Sequence, residues 1–165
     1  MDYVPGVILA LAMNYSKLKS MTMKSSTKKR KTIAQEVDKA AVLLQKLVRM
    51  KAADEYGYAK CVSCGRVEHW KGMDGGHYFS RRHTRLKLFE ENVHIQCKRC
   101  NMLMGDPQVQ DAYRDYMIQM YGERRLKAMK KLTYMPPKKF NRDDVIAFQQ
   151  DLKRQIKEQE ERLGI

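Results

Sequence analysis

"NVHIQCKRCN", residues 92–101, places two cysteines, a histidine and two asparagines within ten positions. Its CxxC supplies two thiolates from one tight turn, which is half of a tetrahedral metal site. The other half stands upstream at Cys61 and Cys64, with the same spacing, and these two pairs account for all four cysteines of the chain. Two such turns complete a zinc tetrahedron in a reducing compartment, whereas scattered cysteines would point to a disulfide framework. Disulfides or redox thiols are the competing readings of the pairs.

Outward from this stretch the sequence changes character twice. Every cysteine and histidine of the chain falls between Tyr58 and Gly105, among glycines and short extended pieces. Before it, Thr32 and Gln35 form a capping-box pair. Ile33, Val37, Ala40, Ala41, Leu44, Leu47 and Val48 then recur at helical spacing, and Gly57 is a left-handed cap for the end of that helix. After it, Asp106 and Pro107 open a helix that Gly122 closes, "ERRLKAMKKL" reads as a second short one, and Asn141 caps a last helix with Val145, Phe148, Leu152 and Ile156 on one face. No internal repeat is visible.

Composition limits the partner. The chain has 165 residues, enough for one modest domain with extensions. Lys and Arg outnumber Asp and Glu by 33 to 19, a formal net charge of +14, so polyanions, nucleic acid above all, are the favoured class. Residues 14–31 are basic and rich in Ser and Thr, as expected of a flexible arm that either solubilises the chain or binds phosphates loosely. "GVILALAM", residues 6–13, is too short for a membrane span, which needs about 20 apolar residues. It reads as an unstructured or frayed leader, and Met13, Met21 and Met23 stand near it as alternative starts.

Between the two CxxC pairs lie "MDGGHYFSRRH" (73–83) and then Asn92, five residues before Cys97; Asn101 follows Cys100 directly. This order resembles the ββα-metal (HNH) nuclease motif, and the CxxCN ending resembles the phage junction-resolving endonuclease VII. "DEYGYAKCVSCGR", "WKGMDGGHYFSRRH", "ENVHIQCKRCN" and "YRDYMIQMYGE" together look like the lambdoid NinG/Rap recombination nucleases, over roughly residues 33–132. The resemblance implies an α+β fold, a zinc-bound ββα-metal module flanked by helices. The expected divisions are a basic arm at 1–31, a helix at 32–57, the nuclease module at 58–106 and C-terminal helices at 107–165. It also implies a metal-dependent DNA endonuclease in the cytoplasm of a bacterial host. Such an enzyme would cut branched or single-stranded recombination intermediates, such as junctions and displacement loops, and leave 5′-phosphate and 3′-hydroxyl ends.

Site roles follow from chemistry and resemblance together. Phosphodiester hydrolysis needs a deprotonated water and a cation on the developing charge. His77 is the natural base, because imidazole titrates near neutrality, and the resemblance gives it that role. Asn92 is expected to hold its loop and orient His77 through its amide, unless it is an ordinary turn residue. The resemblance puts a catalytic divalent ion, Mg²⁺ or Mn²⁺, on Asn101. Most members of the wider class have an acidic ligand just before the histidine, where this chain has Gly76. Asp74 reaches the metal if "DGG" folds back, unless it is an ordinary turn residue, with His83 and His94 as rival ligands or phosphate contacts. Arg81, Arg82, Arg85 and Lys87 are expected to hold flanking phosphates, or else to form a solvated charge run. The expected partners are DNA, a second copy of the chain and phage recombination proteins, and no membrane. The competing function is a non-enzymatic zinc module that binds nucleic acid and recruits recombination proteins; it would have no need of His77 with Asn101.

Overall fold

The hydroxyl of Thr32 accepts the Gln35 N–H, and the Gln35 side chain accepts the Thr32 N–H. This comes from a computed structural model that describes residues 30–165. The reciprocal cap satisfies two orphan donors and starts α1, Ile33–Ala52. Val37, Ala40, Ala41, Leu44, Leu47 and Val48 form its buried face, while Ile33, where the stripe begins, stays 41% exposed. The leader and all but the last two residues of the expected basic arm lie outside the described residues.

The first helix ends sooner than its glycine suggests. Ala53 is already extended, and the Asp54 carboxylate accepts the N–H groups of Tyr56 and Tyr58, turning the chain into the next strand. Gly57 does take a left-handed φ of +83°, but in that turn, where an added Cβ would lie 2.7 Å from His69 Nε2. Its backbone freedom serves the turn, not the helix.

Two short antiparallel hairpins follow. β1 (Tyr58–Lys60) pairs with β2 (Val67–His69), and β3 (Asp74–His77) pairs with β4 (Val93–Gln96). The connection between β3 and β4 contains the single helical turn α2, Thr84–Lys87. α3, Lys98–Met102, leaves β4 directly through Cys97. "DGG" does not fold back: it is strand, and the backbone of α1 lies directly against it. A Cβ on Gly75 would sit 2.8 Å from Gln45 Cα.

α4, Pro107–Leu132, is capped by Asp106 and broken at Gly122 (φ 78°), so the two expected helices are two arms of one segment. α5, Arg142–Arg162, is capped by Asn141 and buries Val145, Leu152 and Ile156. It runs beside α1 in the same direction. Gln149 donates to the Glu36 carbonyl and carboxylate, Lys46 pairs with Glu160 at 2.7 Å, and Arg162 donates to the Met50 carbonyl. The main core joins Leu44, Leu47 and Met50 of α1, Leu152 and Ile156 of α5, Trp70, Ile95 and the cysteine turns. Each fully buried aliphatic there contributes about 1.5–3 kcal/mol. A second cluster packs Tyr113, Met117 and Met129 of α4 on Leu86. The result is an α+β architecture of two small sheets embraced by helices. No helix among the described residues is long and apolar enough to cross a membrane.

Candidate active site and metal centre

The two cysteine turns meet. Cys61 and Cys64 lie in the turn between β1 and β2, where the Cys61 carbonyl accepts the Gly65 N–H and the Cys61 N–H donates to Arg66. Cys97 caps α3 and Cys100 lies within it. The Val62 N–H donates to the Ile95 carbonyl, which ties the first turn to β4. All four thiol sulfurs fall within 4.8 Å of one another, Cys64 and Cys97 at 3.8 Å. A tetrahedron with Zn–S of about 2.3 Å has S···S edges of about 3.8 Å. The cysteines are unpaired, so thiolate donors and spacing both fit one zinc ion.

His77 ends β3 opposite Val93. Its Nε2 lies 3.1 Å from the Lys87 carbonyl. A carbonyl can only accept, so Nε2 carries the hydrogen and Nδ1 is left as the proton acceptor of the ring. Burial pushes the pKa of His77 below its ordinary value; the Lys87 carbonyl opposes this, and the charges of Arg81 and Lys87 add to it. His77, Asn101, Arg81, Arg82 and Gln110 line one open cavity of about 640 Å³.

Asn92 is fully buried. Its amide donates to the carbonyls of Phe79 (2.9 Å) and Leu86 (3.1 Å) and accepts the Phe79 N–H (2.8 Å). It therefore reaches His77 through the loop: it closes the 78–92 connection on itself, and that loop brings the Lys87 carbonyl to the imidazole. Asn101 donates through Nδ2 to Asp74 Oδ2 at 3.0 Å. Asp74 meets Asn101 because α3 carries the asparagine to it, with the strand left extended.

The expected basic cluster divides. Arg81 and Arg82 are exposed at the cavity. Arg85 donates instead to the Pro136 carbonyl at 2.8 Å, and Lys87 pairs with Asp38 of α1 at 2.6 Å. These two tie the loop to its neighbours. His83 lines a separate small recess of about 150 Å³ with Thr84 and Pro137.

His94 does not face the cavity or any phosphate path: it is buried beneath Tyr113, Tyr116 and Tyr121. Tyr113 donates to the Gly76 carbonyl, so His94 Nδ1 must donate to the Tyr113 oxygen, and Nε2 accepts from Tyr121. Burial lowers its pKa to about 4, against the pull of Glu90 and Glu91. A neutral ring with both nitrogens engaged is a brace for β3, and it has no lone pair left for a metal. The tyrosines of α4 that complete this brace have no local signature; only a helical stripe of Tyr113, Met117 and Tyr121 hints that they face inward.

No curated protein and no solved structure matches the chain. The family model described as bacteriophage lambda NinG protein matches residues 12–162, nearly the whole chain. The cysteine centre, the loop that holds His77 and the helices around them are thus those of a member of the bacteriophage lambda NinG family.

Proposed function

We propose that this protein is a metal-dependent DNA endonuclease of phage recombination, built on a ββα-metal unit made of β3, β4 and α3. The observation that carries this reading is the pairing of His77 and Asn101 in one open, cation-lined cavity beside the cysteine centre. A nucleic-acid-binding zinc module without chemistry gains nothing from a half-buried imidazole with one free nitrogen. His77 takes the proton of the attacking water at Nδ1, and the Lys87 carbonyl keeps the ring in that tautomer. Arg81 and Arg82 hold the phosphates beside the scissile bond.

Asp74 and Asn101 offer a carboxylate and an amide oxygen, hard donors that suit Mg²⁺ or Mn²⁺. That ion, when bound, supplies electrostatic stabilisation of charge on the phosphate and leaving oxygens. The zinc is structural: thiolates from two turns fasten the first hairpin to the strand–helix junction. Substrates are branched or single-stranded recombination intermediates, a class that rests on the family resemblance. The deciding experiment is cleavage of four-way junction, fork and plain duplex DNA with Mg²⁺ or Mn²⁺, wild type beside His77→Ala. Wild-type cleavage of the branched substrates that His77→Ala loses supports the reading. Binding without cleavage under every metal condition replaces it with the accessory-module reading.

A further inference from the structure

Among the described residues, one buried side-chain polar atom has no hydrogen-bond partner: Oε1 of Gln96. Gln96 is completely buried, and leaving a buried amide oxygen unsatisfied is destabilising. Its orientation is set from the other end of the amide, since Nε2 donates to Ser63 Oγ at 2.8 Å and to Met104 Sδ at 3.2 Å. Both donors are engaged, and the oxygen is turned toward Gly76.

Gly76 is the second observation. A Cβ there would lie 1.9 Å from Gln96 Oε1 and 3.1 Å from Asn101 Oδ1. The bare backbone leaves a small space that two amide oxygens share. Asn101 commits its Nδ2 to Asp74 Oδ2, which leaves Oδ1 as its open acceptor. The strand register pairs Asp74 with Gln96 and Gly76 with His94, so the carboxylate and the orphan oxygen sit on one face of the sheet. Two amide oxygens face this space with no hydrogen between them, and the Asp74 carboxylate adjoins the same asparagine through its Nδ2. A divalent cation would satisfy both amide oxygens and take the carboxylate as its charged ligand.

We propose that Gln96 supplies, through Oε1, a third oxygen to the divalent-cation site of Asp74 and Asn101, and that Gly76 is bare to make room for it. Ser63, which stands between Cys61 and Cys64, positions the amide, so the zinc turn aims a ligand of the neighbouring ion. The inference rests on the cation site of the proposed nuclease and adds the residue that completes it. The set of one carboxylate and two amide oxygens is hard and singly charged, which suits Mg²⁺ or Mn²⁺ with waters filling the remaining positions.

The test measures binding, without DNA and without turnover. Mn²⁺ is titrated into the zinc-loaded full chain and the free-ion electron-paramagnetic-resonance signal is followed, with thermal melting as a check on folding. Gln96→Met, which keeps the length and removes the oxygen, should weaken Mn²⁺ binding by about 10-fold or more. Gln96→Glu should retain or tighten it, and Mn²⁺ should raise the melting temperature of Gln96→Glu more than that of wild type. Ser63→Ala should weaken binding less than Gln96→Met, and His77→Ala should leave it unchanged. If Gln96→Met folds and binds Mn²⁺ like wild type while Asp74→Asn weakens it, the cation site stands and the role of Gln96 is overturned. A Gln96→Glu protein that Mn²⁺ neither binds more tightly nor stabilises overturns it too. Wild type that binds no Mn²⁺ overturns the cation site together with this inference.

Discussion

The two hairpins of this protein have the same plan and opposite uses of chain length. β1 and β2 are joined by the tight turn 61–66, in which backbone bonds between Cys61 and both Gly65 and Arg66 fix two thiols. β3 and β4 are joined by the long connection 78–92, which the buried amide of Asn92 closes on itself. A turn that short has no room for a cleft, but it presents two ligands at fixed spacing. A connection that long costs more entropy to order, yet it can wrap a carbonyl and two arginines around the end of a strand. Clustered thiols mark the first hairpin, a hydrogen-bonded amide closes the loop of the second, and in the proposed enzyme the chemistry belongs to the longer loop.

Removing a thiol breaks the comparison from the side of the short turn and has the largest expected effect. Cys97→Ser should strip the zinc, release the first hairpin from the strand–helix junction and abolish a cooperative melt, because metal binding and folding of such a module are one event. Elemental analysis should give about one zinc per wild-type chain. A Cys97→Ser protein that melts like wild type would show that the knot is dispensable.

From the side of the long loop, His77→Ala should lower cleavage by about 10²–10⁴-fold and leave folding and DNA affinity nearly intact. The pH profile sharpens this. The base works only when neutral, and burial lowers the pKa of His77, so kcat/KM should hold as pH falls through the ordinary histidine value near 6.5 and drop only below it. Arg81 is one of the charges that lower this pKa, so Arg81→Ala should move the acid limb up toward 6.5. An acid limb above 6.5 in wild type would remove His77 as the titrating base.

Asn92 tests whether one side chain anchors the long connection. Asn92→Ala leaves the Phe79 N–H and the Phe79 and Leu86 carbonyls without their partner, a loss of about 3 kcal/mol, and the zinc content should stay at about one per chain. Hydrogen exchange should rise in residues 78–92 and not in 61–66. Protection lost equally in both turns would mean that the two hairpins do not stand independently.

The smallest effect separates the cations. Arg81→Ala should slow single-turnover cleavage at saturating DNA by up to about 10²-fold through misplacement of the phosphate. It should also flatten the salt dependence of binding by about 0.7–0.9 for each phosphate that is no longer neutralised. Arg85→Ala, whose guanidinium is held by the Pro136 carbonyl, should leave the salt slope unchanged. Equal slopes for the two variants would return the whole cluster to one undivided surface.

The sequence by itself determined the parts whose causes lie within a few residues. Caps at Thr32, Asp106 and Asn141 depend on the next turn of helix, and each CxxC depends on its own turn, so spacing alone announces them. Only the tertiary structure decided which polar groups are free. Lys87 and Arg85 look like their neighbours Arg81 and Arg82 until Asp38 and Pro136, far away in the chain, engage them. His94 looks like a ligand until α4 folds over it, and Gly57 looks like a helix cap until His69 packs on it. Gln96 lies in the stretch 92–101, yet nothing local distinguishes it. Its oxygen is an orphan because Ser63, from the first cysteine turn, and Met104, from the segment after α3, take both hydrogens of its amide. Local rules set backbone geometry, because torsions and caps are short-ranged. Burial and partner choice are decided by what the rest of the chain brings near.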